Sequence, residues 1–523
     1  MSSTVAMEPV NLVGSEERGI PGEALRSHDP ARPDETVWSG SPDAGAVDAA
    51  VSAAAEAAPA WRKMGLEKRA EVLRAFREVA RERAEEVGEL ICRETGKALW
   101  DSMGEARLLA AKVDVTLDDS KNSGLARVTG FETPVTETRQ GRCVFRPHGV
   151  MAVVGPFNFP AHLPNGHIVP ALLTGNTVVL KPSDKAPAVG QLLGSLYREA
   201  LAAAGAPMGV VNVVQGGGDV ASALVTHEDI EGVLFTGSWP VGRKILEANL
   251  DRPSRIVALE MGGNNAAVVA ADADVRQAAV ECVRAAFVSA GQRCTCTRRI
   301  IVEEPVARAF VALAQKIASN LIVGDPRGIG GGSRNQSVFM GPVIREESRR
   351  ALLETQAALV RAGARPLVEM TAMEHPSGGH YVTPGMLEVD RFTAGGDPAS
   401  DAGCDEEFFG PLVRVSTARD LGDAIEQANA TRFGLASAIF TKSDQAAERF
   451  LDEARAGCVN VNTGTAGASS KLPFGGLGIS GNHRPAGAFS LDYTVYPVAS
   501  LIERGDKADL PPGMRVEEGW EDA

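Results

Sequence analysis

From residue 149 onward, short apolar runs alternate with helical stretches. "GVMAVVGP", "NTVVLKPS", "GVVNVVQG", "EGVLFTGS" and "RIVALEMGG" are apolar almost without interruption, the pattern of strands buried on both faces. Between them lie segments such as "AVGQLLGSLYREALAAAG", with apolar residues at helical spacing. The alternation predicts a parallel, doubly wound sheet. A second series begins near residue 265 with "NAAVVAADAD" and continues through "RRIIVEE" and "ASAIFTK". The predicted fold class is α/β with two doubly wound domains, and the cleft between them is the expected ligand site.

Ahead of the first series, residues 42–117 carry apolar positions at helical spacing, with Gly96 as a stop. The next stretch, "GLARVTGFETPVTETRQGRCVFRPHG", has β-rich runs broken by Gly and Pro and predicts an extended arm or hairpin. The chain ends in an acidic tail, "EEGWEDA", and shows no internal repeat.

Composition narrows the function classes. A net charge of −14, from 67 acidic against 53 basic residues, and the lack of a basic cluster argue against nucleic acid as a partner. The N-terminus lacks a basic segment followed by an apolar one, and no run approaches the ~18 apolar residues of a membrane span. A cytoplasmic location without membrane attachment is the expectation. The seven cysteines are scattered without a Cys-x-x-Cys pair, which predicts reduced thiols and no metal site.

Candidate chemistry sits at the ends of predicted strands. "EGVLFTGSWPVGRKIL" reads as strand, turn and helix, with Gly237 and Gly242 bracketing the turn, Ser238 as N-cap and Pro240 in the first helical turn. Such a helix start suits a pyrophosphate, although the G-x-x-x-x-G spacing fits a bare structural turn equally well. "VVLKPSD" offers Lys181 and Asp184, and a carboxylate there favours ribose hydroxyls over a 2′-phosphate. "VALEMGGNN" places Glu260 at a strand end, a base if burial raises its pKa and otherwise a cap. Asn158, framed by prolines in "GPFNFP", can donate to an oxyanion or simply hold its loop. In "AFVSAGQRCTCTRRIIV", Cys294 and Cys296 lie at a helix-to-strand junction where a thiolate nucleophile is one reading and inert packing the other. If the strand has begun by there, period-two alternation puts both side chains on one side, so Cys296 approaches the site. His162 and His167, five apart, suit packing or pocket lining rather than a metal.

In order and approximate spacing, "GPFNFP", "KPSD", "FTGSWPVG", "LEMGGNN", "GQRC", "EEFFGP" and "LPFGGLGISG" resemble the aldehyde dehydrogenase superfamily over roughly residues 35 to 500. The resemblance implies NAD as cofactor and an aldehyde as substrate. It makes Cys294 the nucleophile, Glu260 the base that activates the hydrolytic water, and Asn158 with the Cys294 N–H the oxyanion donors. Lys181 and Asp184 would bind the adenine ribose, the turn Gly237, Ser238, Trp239, Pro240, Val241 and Gly242 the pyrophosphate, and Glu407 the nicotinamide ribose, with Phe409 beside the nicotinamide. It implies a discontinuous NAD-binding domain (35–121 and 148–261), a catalytic domain (262–479), and an oligomerisation arm (122–147 and 480–502) used in a homodimer or homotetramer. Residues 1–34 and 503–523 are left as terminal extensions.

Within the family the likeness is strongest to members acting on a dicarboxylated semialdehyde, for which Arg293, His162, Arg298 and Arg484 are candidate partners. Two departures bear on this: Trp239 and Pro240 stand where smaller or polar residues are expected, and "VNTGTAGASS" lacks a Lys-Pro pair. Other readings are a different aldehyde, a CoA-acylating enzyme on the same scaffold, and a non-catalytic relative. Glu260 opposes the acylating reading, because transfer to CoA requires suppressing hydrolysis.

Overall fold

The helical periodicity of residues 42–117 resolves into the helices Ala46–Lys63, Gly65–Glu82, Ala84–Thr95 and Leu99–Thr116. Gly96 ends the third with φ of 72° and its N–H on the Cys92 carbonyl at 3.0 Å, a left-handed cap that favours glycine. A computed structural model describes residues 7–121, 123–328, 337–395, 403–506, 510–517 and 519–520. The outer parts of both expected extensions, residues 1–6, 507–509, 518 and 521–523, lie outside the described residues.

The first sheet runs Ile256–Glu260, Ile230–Thr236, Val150–Val154, Thr177–Lys181, Val211–Val213, Val10–Val13 and Glu16–Gly19. The first five strands are parallel, and Val150–Val154 and Thr177–Lys181 are buried along their whole length. Burial of each such Val or Leu contributes roughly 1.5–3 kcal/mol. Strand order reverses between Val150–Val154 and Ile230–Thr236, so the loops that follow them, with Asn158 and with Gly237 to Gly242, flank the crevice where such sheets take ligands.

The second sheet runs Arg365–Val368, Gly385–Glu388, Leu412–Ala418, Thr297–Glu303, Asn265–Val269, Ala436–Phe440 and Cys458–Val461, parallel except for the first pair. The chain passes from Glu260, at the carboxyl edge of the first sheet, to Asn265 at the amino edge of the second within five residues. Cys294 lies just ahead of Thr297–Glu303, at that same amino edge.

Two segments depart from expectation. Residues 10–13, assigned to a terminal extension, are a buried strand paired with Val211–Val213 and with Glu16–Gly19, whose exposed polar side chains close the sheet edge. Three apolar residues around a buried Asn11 are too short a run to announce a strand; the sheet supplies its partners. Residues 480–482, assigned to the arm, dock on the first sheet instead: Asn482 accepts from Leu259 N–H at 2.7 Å and donates to the Val257 carbonyl at 2.9 Å, and Gly481 bridges to Glu260. The arm itself is a three-stranded sheet in which Arg139–Pro147 lies between Phe131–Pro134 and Val495–Glu503. Among the described residues no helix is long and apolar enough to cross a membrane.

Candidate active site

The chain reaches Cys294 through a strained turn. After the helix Val275–Phe287, residues Ser289, Ala290 and Gly291 take φ of 55°, 52° and 69°, a left-handed run that costs Ser and Ala roughly 1–2 kcal/mol each. A Cβ on Gly291 would run into the Gly410 carbonyl, so glycine alone fits there. The turn is tied down by Asp101, which accepts from Ser289 Oγ at 2.5 Å and from Arg293 Nη2 at 2.6 Å, while Arg293 Nε donates to Ser289 Oγ at 2.8 Å. Beyond it, Asn265 Nδ2 donates to the carbonyls of Cys294 and Cys296 at 2.7 and 2.8 Å. The backbone around Cys294 is therefore held from both domains.

The two cysteines part company here. Cys294 is half-buried, and burial followed by the carboxyls of Glu260 and Glu407 pushes its thiol well above the usual range. Cys296 is fully buried with Sγ 3.8 Å from the Val288 carbonyl. The expected strand alternation fails because the strand begins only at Thr297 and Cys296 still lies in the turn, its N–H on the Arg293 carbonyl at 3.1 Å. Its side chain enters the core rather than the site.

Glu260 is clamped by its backbone and free at its tip. Its carbonyl accepts from Gly237 N–H at 3.0 Å, and the next residue, Met261, donates to the Ser480 carbonyl at 2.8 Å. Both carboxylate oxygens are buried without a hydrogen-bond partner, and burial holds the carboxyl well above its ordinary range against the opposing pull of Arg484. This is the environment a general base needs. Glu407 packs over the Gly262 backbone, where any Cβ would strike its carboxylate, and accepts from Gly263 N–H at 3.0 Å. Burial raises it to about 7, offset by Arg298 and that N–H.

Two cavities meet at these groups. One, about 380 Å³, is bordered by Asn158, Gly237, Ser238, Val241, Glu407 and Phe409; the other, about 240 Å³, runs past His162, His167 and Arg293; Cys294, Glu260, Thr236 and Leu163 line both. A molecule in each would touch across the thiol and the carboxyl. Ser238 caps the helix Trp239–Ala248 by position but makes no side-chain cap bond, which leaves its hydroxyl and the helix N-terminus free for an anion. Phe157 meets Phe409 edge-on at 5.7 Å beside them. These groups fit a dinucleotide. A match to the aldehyde dehydrogenase family covers residues 19–497.

The chain belongs to the aldehyde dehydrogenase family. It is 44% identical over 497 residues to N-succinylglutamate 5-semialdehyde dehydrogenase of Chromobacterium violaceum, covering 94% of this chain and 97% of that one. Against N-succinylglutamate 5-semialdehyde dehydrogenase 1 of Caulobacter vibrioides the identity is 43%, with 90% and 95% covered. Among solved structures, 1-pyrroline-5-carboxylate dehydrogenase from Thermus with bound NAD superposes with a TM-score of 0.84 at 26% identity, covering 95% of this chain and 93% of that one.

The remaining expected residues of this dehydrogenase divide. Lys181 is buried at its strand end and pushed down to about 8 by burial. Asp184 lines a neighbouring recess that shares Lys185 with the larger cavity. Trp239 packs partly against the core of the first domain, while Pro240 and Val241 are exposed. Gly242 is buried where a Cβ would strike Met261. On the substrate side, Arg293 lines the tunnel but is committed to Asp101. Arg298 is not a substrate partner: it is fully buried, donating to the carbonyls of Gly410 at 2.8 Å and Gly291 at 2.5 Å, so it braces the turn before Cys294. Arg484 is not part of the tunnel wall, although Pro485, Ala486 and Gly487 are.

The site residues carried by one expected helix escaped the sequence reading. Asp101, Glu105, Leu108 and Lys112 recur at helical spacing along one face of Leu99–Thr116. Asp101 ties the turn ahead of Cys294. Glu105, fully buried, pairs with Lys97 at 2.5 Å and accepts from the N–H groups of Ala161 and His162 at 3.0 and 3.1 Å, capping the helix His162–Thr174. Leu108 and Lys112 line the tunnel. The signal was present as charges at i, i+4 and i+11, a spacing that a solvated face shows equally well.

Proposed function

We propose that this dehydrogenase oxidises N-succinyl-L-glutamate 5-semialdehyde to the carboxylic acid with NAD, a step of arginine breakdown. The observation that carries the reading is the meeting of the two cavities at Cys294 and Glu260. The printed names of the two bacterial relatives favour the substrate, and the NAD held by the Thermus relative supports the cofactor.

In this mechanism the Cys294 thiol loses its proton and attacks the carbonyl carbon, forming a thiohemiacetal whose oxygen takes hydrogen bonds from the Asn158 amide and the Cys294 N–H. NAD+, when bound, supplies the acceptor for two electrons and a positive charge beside the thiol. Loss of the former aldehyde hydrogen with its electron pair, as the oxygen re-forms its double bond to carbon, would leave a thioester on the Cys294 sulfur. Glu260, with no competing partner, takes a proton from water as its oxygen attacks, and the C–S bond breaks to release the carboxylate and return the thiol. Ser238 and the Trp239–Ala248 helix start hold the pyrophosphate, Lys181 and Asp184 the adenine ribose, and Glu407 the nicotinamide ribose. The arm sheet, with Phe131, Tyr496 and Leu501 exposed, serves a homodimer or homotetramer, and the enzyme works in the cytoplasm.

A panel of aldehydes assayed for NADH formation, with and without CoA, tests the reading. Preference for N-succinylglutamate semialdehyde without CoA is expected. Equal turnover of simple aliphatic aldehydes would sink the substrate, and strict CoA dependence would sink hydrolysis.

A further inference from the structure

The tunnel wall carries Lys112, His162, His167 and Arg293. Arg293 gives its guanidinium to Asp101, and His167 uses both ring nitrogens, on the Tyr493 hydroxyl at 2.7 Å and Thr236 Oγ1 at 3.2 Å. Lys112 and His162 are left. Lys112 Nζ donates to the Gly487 carbonyl at 3.1 Å and to Ser490 Oγ at 2.5 Å, which occupies two of the three N–H donors of an ammonium. Its side chain is buried, and among the described residues no carboxylate lies within ion-pair distance of it. His162 Nδ1 is shielded from solvent and also has no partner. An amine with one donor unused and a bare ring nitrogen thus border one cavity, and among the described residues no carboxylate pairs with the amine.

We propose that Lys112 and His162 form a carboxylate-binding subsite that selects aldehydes carrying an anionic group remote from the carbonyl. The inference rests on the dicarboxylated-semialdehyde reading and names the groups that recognise its charge. A substrate carboxylate completes the third donor of Lys112 with a charge-assisted bond in a site largely closed to water, where such bonds are strongest. His162 donates from Nδ1 to the second oxygen. Burial keeps its ring neutral, down to about 4, so it adds direction without adding charge. Burial alone draws the Lys112 amine down to about 7, as expected of a cation placed without its counter-ion. Because Cys294 lines the same cavity, one extended molecule can present its aldehyde to the thiol and its carboxylate to the amine. Leu108 and Phe159 supply apolar wall. An uncharged aldehyde leaves the third donor of the ammonium unanswered.

The test compares wild type, Lys112→Met and Lys112→Arg on N-succinylglutamate semialdehyde, two shorter carboxylated semialdehydes and an uncharged aliphatic aldehyde. Lys112→Met should raise KM for the preferred carboxylated substrate ~10²-fold with kcat within about twofold, the scale of losing a buried charge-assisted contact. For the uncharged aldehyde both constants should stay near wild type, and Lys112→Arg should recover part of the loss. Thermal melting should show no loss of stability in Lys112→Met, since it removes an unpaired buried charge. Equal losses on charged and uncharged substrates would make Lys112 merely structural and overturn the proposal, as would retention of the carboxylate preference by Lys112→Met. If wild type prefers a shorter carboxylated aldehyde and Lys112→Met loses that preference, the subsite stands and the succinylglutamate assignment falls. If wild type prefers no carboxylated aldehyde, both fall.

Discussion

Arg293, immediately before Cys294, is held by Asp101 of the Leu99–Thr116 helix at 2.6 Å, across 192 positions of sequence. The pair, with Ser289 between its arms, converts a strained left-handed turn into a fixed support for Cys294. Asp101→Ala leaves Arg293 Nη2 and the Ser289 hydroxyl without their acceptor and the guanidinium without its counter-charge. We expect a loss of about 3 kcal/mol in urea unfolding, the scale for breaking a buried pair from one side, together with a kcat reduced at least ~10-fold by misplacement of the thiol.

The divergence of the two thiols gives an unequal pair of variants. Cys294→Ala should fold and produce no NADH. Cys296→Ala loses a buried sulfur in the core and should cost about 1 kcal/mol while keeping most of the activity. An inactive Cys296→Ala with an intact melting transition would reverse the assignment.

In the proposed mechanism Glu260 enters after the redox step, so its loss should separate the two halves of the reaction. Glu260→Gln should retain a single-turnover burst of NADH in rapid mixing while steady-state turnover drops at least ~10²-fold, the scale of a lost general base. Wild-type turnover should also climb with pH, because a carboxyl held above its ordinary range by burial gains its base form only as protons become scarce. The climb should vanish in the Gln variant. A burst lost in parallel with turnover would instead assign Glu260 to thiol activation.

Stability should respond to pH through Glu407. Its carboxyl is raised from 4.5 to about 7, chiefly by burial, so the folded state binds the proton more tightly than the unfolded chain. The stabilisation is complete below 4.5 and is lost as pH rises through about 7, a change of roughly 3 kcal/mol at about 1.4 kcal/mol per pH unit. Glu407→Gln should flatten the dependence of unfolding free energy on pH across that window. An unchanged slope would locate the titration elsewhere.

Much of the architecture was legible because strand and helix periodicities are local. Parallel strands buried on both faces announce themselves as unbroken apolar runs, and "VMAVV" and "TVVLK" appear in the structure as fully buried strands. Gly96 and Pro240 stood where helix ends require them. The terminal strand Val10–Val13 was not legible, since the strand that joins it to the sheet, Val211–Val213, lies about two hundred residues away. Arg298 and Lys112 show the same limit in the site. Both are cations in ordinary contexts, and only packing made one a brace among carbonyls and left the other facing a cavity.

By itself, the sequence determined the α/β class and the order of motifs that carry Cys294, Glu260 and Asn158, because turn chemistry and apolar spacing act over a few residues. Which side chains share a cavity was decided by the tertiary structure alone. It turned Cys296 into the core, bound Arg293 to Asp101 and brought Lys112 to the tunnel. Those outcomes depend on how two sheets and one helix pack, and burial and pairing are properties of that packing rather than of any local stretch of chain.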